Sequence, residues 1–142
     1  MSSDAKPKVL LIDDEEFLLT MYSTKFLKSG FDVYVCDSAD KGIAALKGGY
    51  VPDAILFDVT MPVKSGYEFL EELKKISLPK SCLKIALTNE GQDNEKERLM
   101  ELGIDAHLLK AKYTPHELVP KVAAMIDEKR RWFPGFHRAS HV

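Results

Sequence analysis

Short apolar runs alternate with longer amphipathic segments five times along the chain. Val9-Leu10-Leu11-Ile12 is continuously apolar, which predicts a strand buried on both faces. Over 13–28, Leu18, Tyr22 and Phe26 stand four apart and share one helical stripe, which Gly30 ends. Residues 31–36 alternate and are rich in β-formers, so they predict a strand at or near the sheet edge. A short helix follows over 38–47, closed by Gly48-Gly49, then a strand over 54–57 and a helix over 65–75. A strand over 83–87, a polar helix over 95–102 ending at Gly103, and a strand over 106–109 complete the alternation.

Thr114-Pro115-His116-Glu117 is a capping box with proline at the first helical position, and it opens the last helix. Leu118, Val122 and Ile126 form that helix's buried face. Pro120 removes one hydrogen bond early in it and predicts a bend. Strand-helix alternation with short links implies a parallel sheet covered on both faces, a three-layer α/β domain.

Composition narrows the function. The 142 residues fit one domain, and 45% hydrophobic with 30% charged residues is the make-up of a globular chain. Twenty Lys+Arg against 22 Asp+Glu leave a net charge of −2, which gives no electrostatic case for direct nucleic-acid binding. No apolar run reaches the ~18 residues of a membrane span, and Met1-Ser2-Ser3-Asp4-Ala5-Lys6 does not resemble a signal peptide. No membrane insertion is expected. Two distant cysteines, Cys36 and Cys82, offer neither a zinc site nor a disulfide framework and favour a reduced, cytoplasmic setting.

In an open α/β sheet, ligands bind beyond the carboxyl ends of the strands. Asp13-Asp14-Glu15-Glu16 follows the first predicted strand, Asp58 the third, Thr88-Asn89-Glu90 the fourth and Lys110 the fifth. Each has a plain reading alone: helix caps for Asp13 and Asp14, a turn opener for Asp58, a solvated lysine for Lys110. Together they place carboxylates, a hydroxyl and an ammonium on one edge. Clustered carboxylates repel unless a cation sits among them, and their oxygens suit Mg²⁺. The inferred chemistry is metal-assisted phosphoryl transfer to a carboxylate.

At these residues the chain resembles the receiver domains of two-component response regulators, over roughly 8–128. The motifs are Val9-Leu10-Leu11-Ile12-Asp13-Asp14-Glu15, Asp58-x-x-Met61-Pro62-x-x-x-Gly66, Thr88 and Lys110. The resemblance implies a flavodoxin-like, doubly wound sheet of five parallel strands in order 2-1-3-4-5, with helices on both faces. It implies that Asp58 accepts a phosphoryl group from a histidine kinase or phosphotransfer protein. Asp13, Asp14, Asp58 and the Thr60 backbone carbonyl would hold Mg²⁺. Lys110 and Thr88 would bind the phosphoryl oxygens, and the movement of Thr88 would switch binding of a downstream protein target. A homodimer is left open.

Three positions depart from the family pattern. Ala111 follows Lys110 where the family has a cis-proline, and a cis non-proline bond costs ~3–4 kcal/mol, so a different placement of Lys110 is expected. Asn89 stands where a small residue is usual, and His107 where an aromatic turns inward; His107 reads as a half-buried strand residue rather than a pH sensor. Two rival functions are a receiver fold that signals without phosphate and an aspartate-nucleophile phosphatase of the haloacid-dehalogenase type. The second needs a carboxylate two residues beyond the nucleophile, where this chain has Thr60. Glu90 is expected to orient the water that hydrolyses the aspartyl phosphate. Residues 1–7 read as an arm, 8–128 as the receiver, and 129–142 as a basic, aromatic tail without an output domain. The tail, with Trp132 and Phe133, either covers its own domain or docks a partner.

Overall fold

Each apolar run of the sequence forms one strand of a single sheet. The computed structural model describes residues 6–89 and 94–132. Strands β1 (Lys8–Ile12), β2 (Asp32–Cys36), β3 (Ala54–Asp58), β4 (Leu83–Thr88) and β5 (Ala106–Leu109) alternate with five helices. These are α1 (Glu16–Lys28), α2 (Ala39–Lys47), α3 (Gly66–Leu73), α4 (Glu95–Glu101) and α5 (Pro115–Trp132). All pairings are parallel and the spatial order is β2-β1-β3-β4-β5, as the resemblance implied.

Alternate strand residues feed two separate cores. Val9, Leu11, Leu56, Ile85 and Leu87 pack with Leu19, Tyr22 and Phe26 of α1 and with Leu118, Val122 and Ile126 of α5. Leu10, Ile12, Ile55 and Phe57 pack on the other face with α2, α3 and Leu99 of α4. Every residue of β3 is buried, which is why its sequence shows no polar alternation. β2 lies at the edge, and its exposed Tyr34 and Val35 explain its mixed pattern.

The acidic run after β1 does not begin a helix at Asp13. α1 starts at Glu16, because the Glu15 N–H donates to Asp13 Oδ1 at 2.9 Å and holds the chain in a turn. Within α1, Tyr22 and Phe26 are buried as expected, whereas at the start of the stripe Leu19 is buried and Leu18 only partly so. The helix ends where the sequence placed its stop. Gly30 adopts φ +92°, and Phe31 N–H reaches back to the Phe26 carbonyl at 3.0 Å. The Phe26 and Phe31 rings meet edge-on at 4.8 Å, closing the turn into β2.

α3 stops at Leu73, short of the expected Lys75, after a reciprocal cap between Ser65 and Glu68 at its start. α5 opens with the predicted Thr114–Glu117 box and continues unbroken through Pro120. Pro120 lies on the exposed face, where water can satisfy the carbonyl that loses its donor.

Candidate functional site

Strand register delivers the site. Ile12 is level with Phe57, so Asp13 and Asp58 emerge side by side from β1 and β3. Asp58 is level with Leu87 and Thr88 with Leu109, which puts Thr88 and Lys110 along the same carboxyl edge. Gly66 allows the loop after β3 to fold back tightly. Its N–H donates to the Val59 carbonyl at 2.8 Å, and a Cβ there would lie 2.7 Å from Val59 Cα.

The two inner carboxylates are held alike. Asp13 Oδ1 accepts from Glu15 N–H at 2.9 Å, and Asp58 Oδ1 accepts from Thr60 N–H at 3.2 Å. Their second oxygens converge on one cation: Lys110 Nζ is 2.7 Å from Asp13 Oδ2 and 3.3 Å from Asp58 Oδ2, with Glu15 Oε1 at 3.7 Å. Asp13, Asp58 and Lys110 are buried, whereas Asp14 is exposed at the rim. Oxygens of Asp13, Asp14 and Asp58 all lie within 4.8 Å of one another, close enough to share a cation. The donor set is entirely oxygen, which suits a hard divalent ion such as Mg²⁺.

These contacts settle what the carboxylates do locally. Neither Asp13 nor Asp14 caps α1, whose N-cap is Glu15 without a side-chain bond. Asp58 does open a turn, yet keeps one oxygen directed at Lys110. No peptide bond among the described residues is cis, so Lys110–Ala111 is trans and starts a single 3₁₀ turn over Lys110–Lys112. The lysine still reaches both carboxylates.

Burial dominates the electrostatics. It pushes the Asp58 carboxyl up to about 6, with Asp13 adding to the rise and Lys110 opposing it. For Lys110, burial alone would lower the pKa, but the hydrogen bond to Asp13 and the charges of Asp58 and Asp13 hold it above the ordinary lysine value. The lysine therefore stays a fixed cation beside a carboxylate that ionises reluctantly.

Thr88 Oγ1 lies 3.1 Å from His107 Nε2, which is also 3.2 Å from Glu95 Oε1. His107 is the half-buried strand residue expected, but Glu95 was not singled out from the sequence. Nothing in the first turn of a polar helix marks one glutamate as the partner of a histidine on the next strand. Glu90 and the tail beyond Trp132 lie outside the described residues.

The profile of the response regulator receiver domain matches residues 9–123. The chain belongs to the response regulator receiver family. Receiver domains of this family act in two-component signalling, which agrees with the site just described. Among similar proteins is the alkaline phosphatase synthesis transcriptional regulatory protein PhoP of Bacillus subtilis (strain 168), 32% identical over 84% of this chain and 48% of PhoP. The phosphate regulon transcriptional regulatory protein PhoB of Escherichia coli (strain K12) is 28% identical over 84% of this chain and 51% of PhoB. The chain thus spans about half the length of these relatives. The chemotaxis protein CheY4 of Vibrio cholerae superposes with a TM-score of 0.78 at 26% identity, covering 85% of this receiver and 99% of CheY4. A CheY-like receiver domain protein from Methanospirillum hungatei JF-1 shares the fold with a TM-score of 0.80 at 24% identity, over 89% of this chain and 98% of its own. No helix among the described residues is long and apolar enough to cross a membrane.

Proposed function

We propose that this receiver accepts a phosphoryl group on Asp58 from the phosphohistidine of a histidine kinase or phosphotransfer protein. The observation that carries the reading is the convergence of Asp13 and Asp58 on Lys110 with Asp14 beside them. In the transfer, an Asp58 oxygen attacks phosphorus, a P–O bond forms, and the P–N bond breaks with its electron pair returning to the imidazole nitrogen. Lys110 binds the phosphoryl oxygens as a point charge, and the Thr88 hydroxyl donates to one of them.

Asp13, Asp14, Asp58 and the Thr60 carbonyl hold Mg²⁺ in this reading. When bound, the ion supplies the charge that lets the carboxylates remain ionised together and offsets negative charge on the phosphoryl oxygens. The aspartyl phosphate is then hydrolysed at the same site, so the domain itself catalyses the transfer and the hydrolysis and no other reaction. The new charge beside Lys110 biases the surface around α4 and β5 and switches binding of a downstream protein. We place the exchange in the cytoplasm, where the buried thiols of Cys36 and Cys82, pushed up to about 11 and about 12 by burial, stay inert.

Incubation with acetyl phosphate and Mg²⁺, followed by intact-mass measurement, tests this. The wild-type chain should gain the mass of one phosphoryl group and Asp58→Asn should gain none. Equal labelling of the two proteins would remove Asp58 as the acceptor.

A further inference from the structure

We propose that His107, oriented by Glu95, is a positioning residue that fixes the direction of the Thr88 hydroxyl and makes it a donor toward the phosphoryl group. The proposal rests on the reading of Asp58 as the acceptor. One atom, His107 Nε2, serves two oxygens: Thr88 Oγ1 at 3.1 Å and Glu95 Oε1 at 3.2 Å. An ionised carboxylate can only accept, so the nitrogen facing it must carry hydrogen. That N–H is shared between Glu95 and Thr88, and both oxygens accept. The hydroxyl hydrogen of Thr88 then has no acceptor on the histidine and must point elsewhere.

The opposite tautomer has a different outcome. A bare Nε2 would set its lone pair against the Glu95 carboxylate and would draw the Thr88 hydrogen onto itself. An ionised phosphoryl group offers only acceptors, so Thr88 would have to break that bond before it could donate to it. Both neutral Nε2–H imidazole and imidazolium keep the required hydrogen, and the arrangement therefore does not depend on ring charge. His107 and Glu95 side chains are 8% and 13% exposed, so water competes weakly for this bond.

Glu95 is the first residue of α4, while Thr88 ends β4 beside the strand that bears Asp58. One hydrogen thus joins the acceptor site to α4. Displacing Thr88 toward the phosphoryl group changes how that hydrogen is shared with Glu95. The charge-bearing partner of the histidine sits on the helix, so the event at the site reaches α4 through hydrogen bonding as well as side-chain packing.

Two measurements on the full chain test the proposal. Imidazole ¹⁵N spectra should show His107 with hydrogen on Nε2, and an Nδ1–H-only ring in the wild type would overturn the proposal. Initial rates of labelling by acetyl phosphate with Mg²⁺ should fall about tenfold in Glu95→Ala, the scale of one lost hydrogen bond to a charged group. Glu95→Gln, which keeps an acceptor oxygen in place, should recover most of that loss. In a Thr88→Val background, Glu95→Ala should cost nothing more. An equal loss with and without Thr88, or a wild-type rate in Glu95→Ala, would overturn the positioning role. A wild-type chain that gains no phosphoryl mass would instead overturn the acceptor reading beneath it.

Discussion

Asp58 is ionised at a cost that only its neighbours offset. Its carboxyl is raised from 3.8 to about 6 mainly by burial, so the folded state holds the proton more tightly than the unfolded chain does. Between about pH 4 and 6 the unfolded carboxyl ionises first, and the stability of the metal-free protein falls as pH rises through that window. Asp58→Asn removes this penalty and is expected to raise the melting temperature at pH 7–8, by on the order of 2 kcal/mol of stability. The advantage should shrink toward pH 4; thermal melts of both proteins across this range, with chelator present, provide the check. Asp14 differs from Asp13 because it is exposed and no Lys110 contact ties it up. Asp14→Ala is therefore expected to abolish Mg²⁺ dependence of labelling, with Asp13→Ala less severe. A Mg²⁺ titration giving wild-type affinity in Asp14→Ala would contradict the assignment.

The loop joining β3 to α3 is where local backbone chemistry supports the site. Val63 adopts φ +69° within a tight turn closed by Lys64 N–H to the Pro62 carbonyl at 2.7 Å, and its side chain is 95% exposed. A β-branched residue in the left-handed region is strained and no packing compensates it. Ion pairs from Lys64 to Asp40, at 2.6 Å, and to Glu72 hold the turn instead. Val63→Gly is expected to gain ~0.5–1 kcal/mol, read as a higher denaturant midpoint. Gly66→Ala should lose ~1–3 kcal/mol, since its Cβ would press on the Val59 backbone.

The strands and the Gly30 stop were legible because apolar periodicity and turn chemistry act locally. The start of α1 was not, since Asp13-Asp14-Glu15-Glu16 carries the charge of a helix first turn, and only the Asp13–Glu15 bond shows otherwise. At the site, Asp13, Asp58, Thr88 and Lys110 were legible from their places at strand ends. The Glu95–His107 bond was not, because it depends on how α4 lies across β5, which no residue pattern specifies.

Across the whole molecule, the basic end of α5 is tied to the amino-terminal edge of the sheet. Lys129 pairs with Asp105 at 3.4 Å and Arg130 with Asp53 at 3.5 Å, while those carboxylates also accept from the N–H groups of Lys84 and Lys8. Truncation after Glu128 removes both pairs. It is expected to lower stability by ~1 kcal/mol while leaving labelling at Asp58 intact. Truncation after Trp132 spares the pairs, so it separates the two readings of 133–142: a lower melting temperature means that the segment covers its own domain, and an unchanged one with loss of partner or self-association identifies a docking segment.

The strand order also permits a sequence of assembly. β1 pairs with both β2 and β3, so the N-terminal half of the sheet can close before β4 and β5 join it. All three carboxylates of the cluster belong to that half, whereas Lys110 arrives with the last strand. A sheet formed in that order would carry crowded negative charge with no lysine to neutralise it, and the repulsion is expected to raise the barrier to refolding. Refolding in stopped flow should accelerate when Mg²⁺ is added or when the pH is lowered below 6, and Asp14→Ala should refold faster than the wild type without metal. The residues proposed to make the finished domain responsive to phosphate are, on this account, the ones that delay its folding.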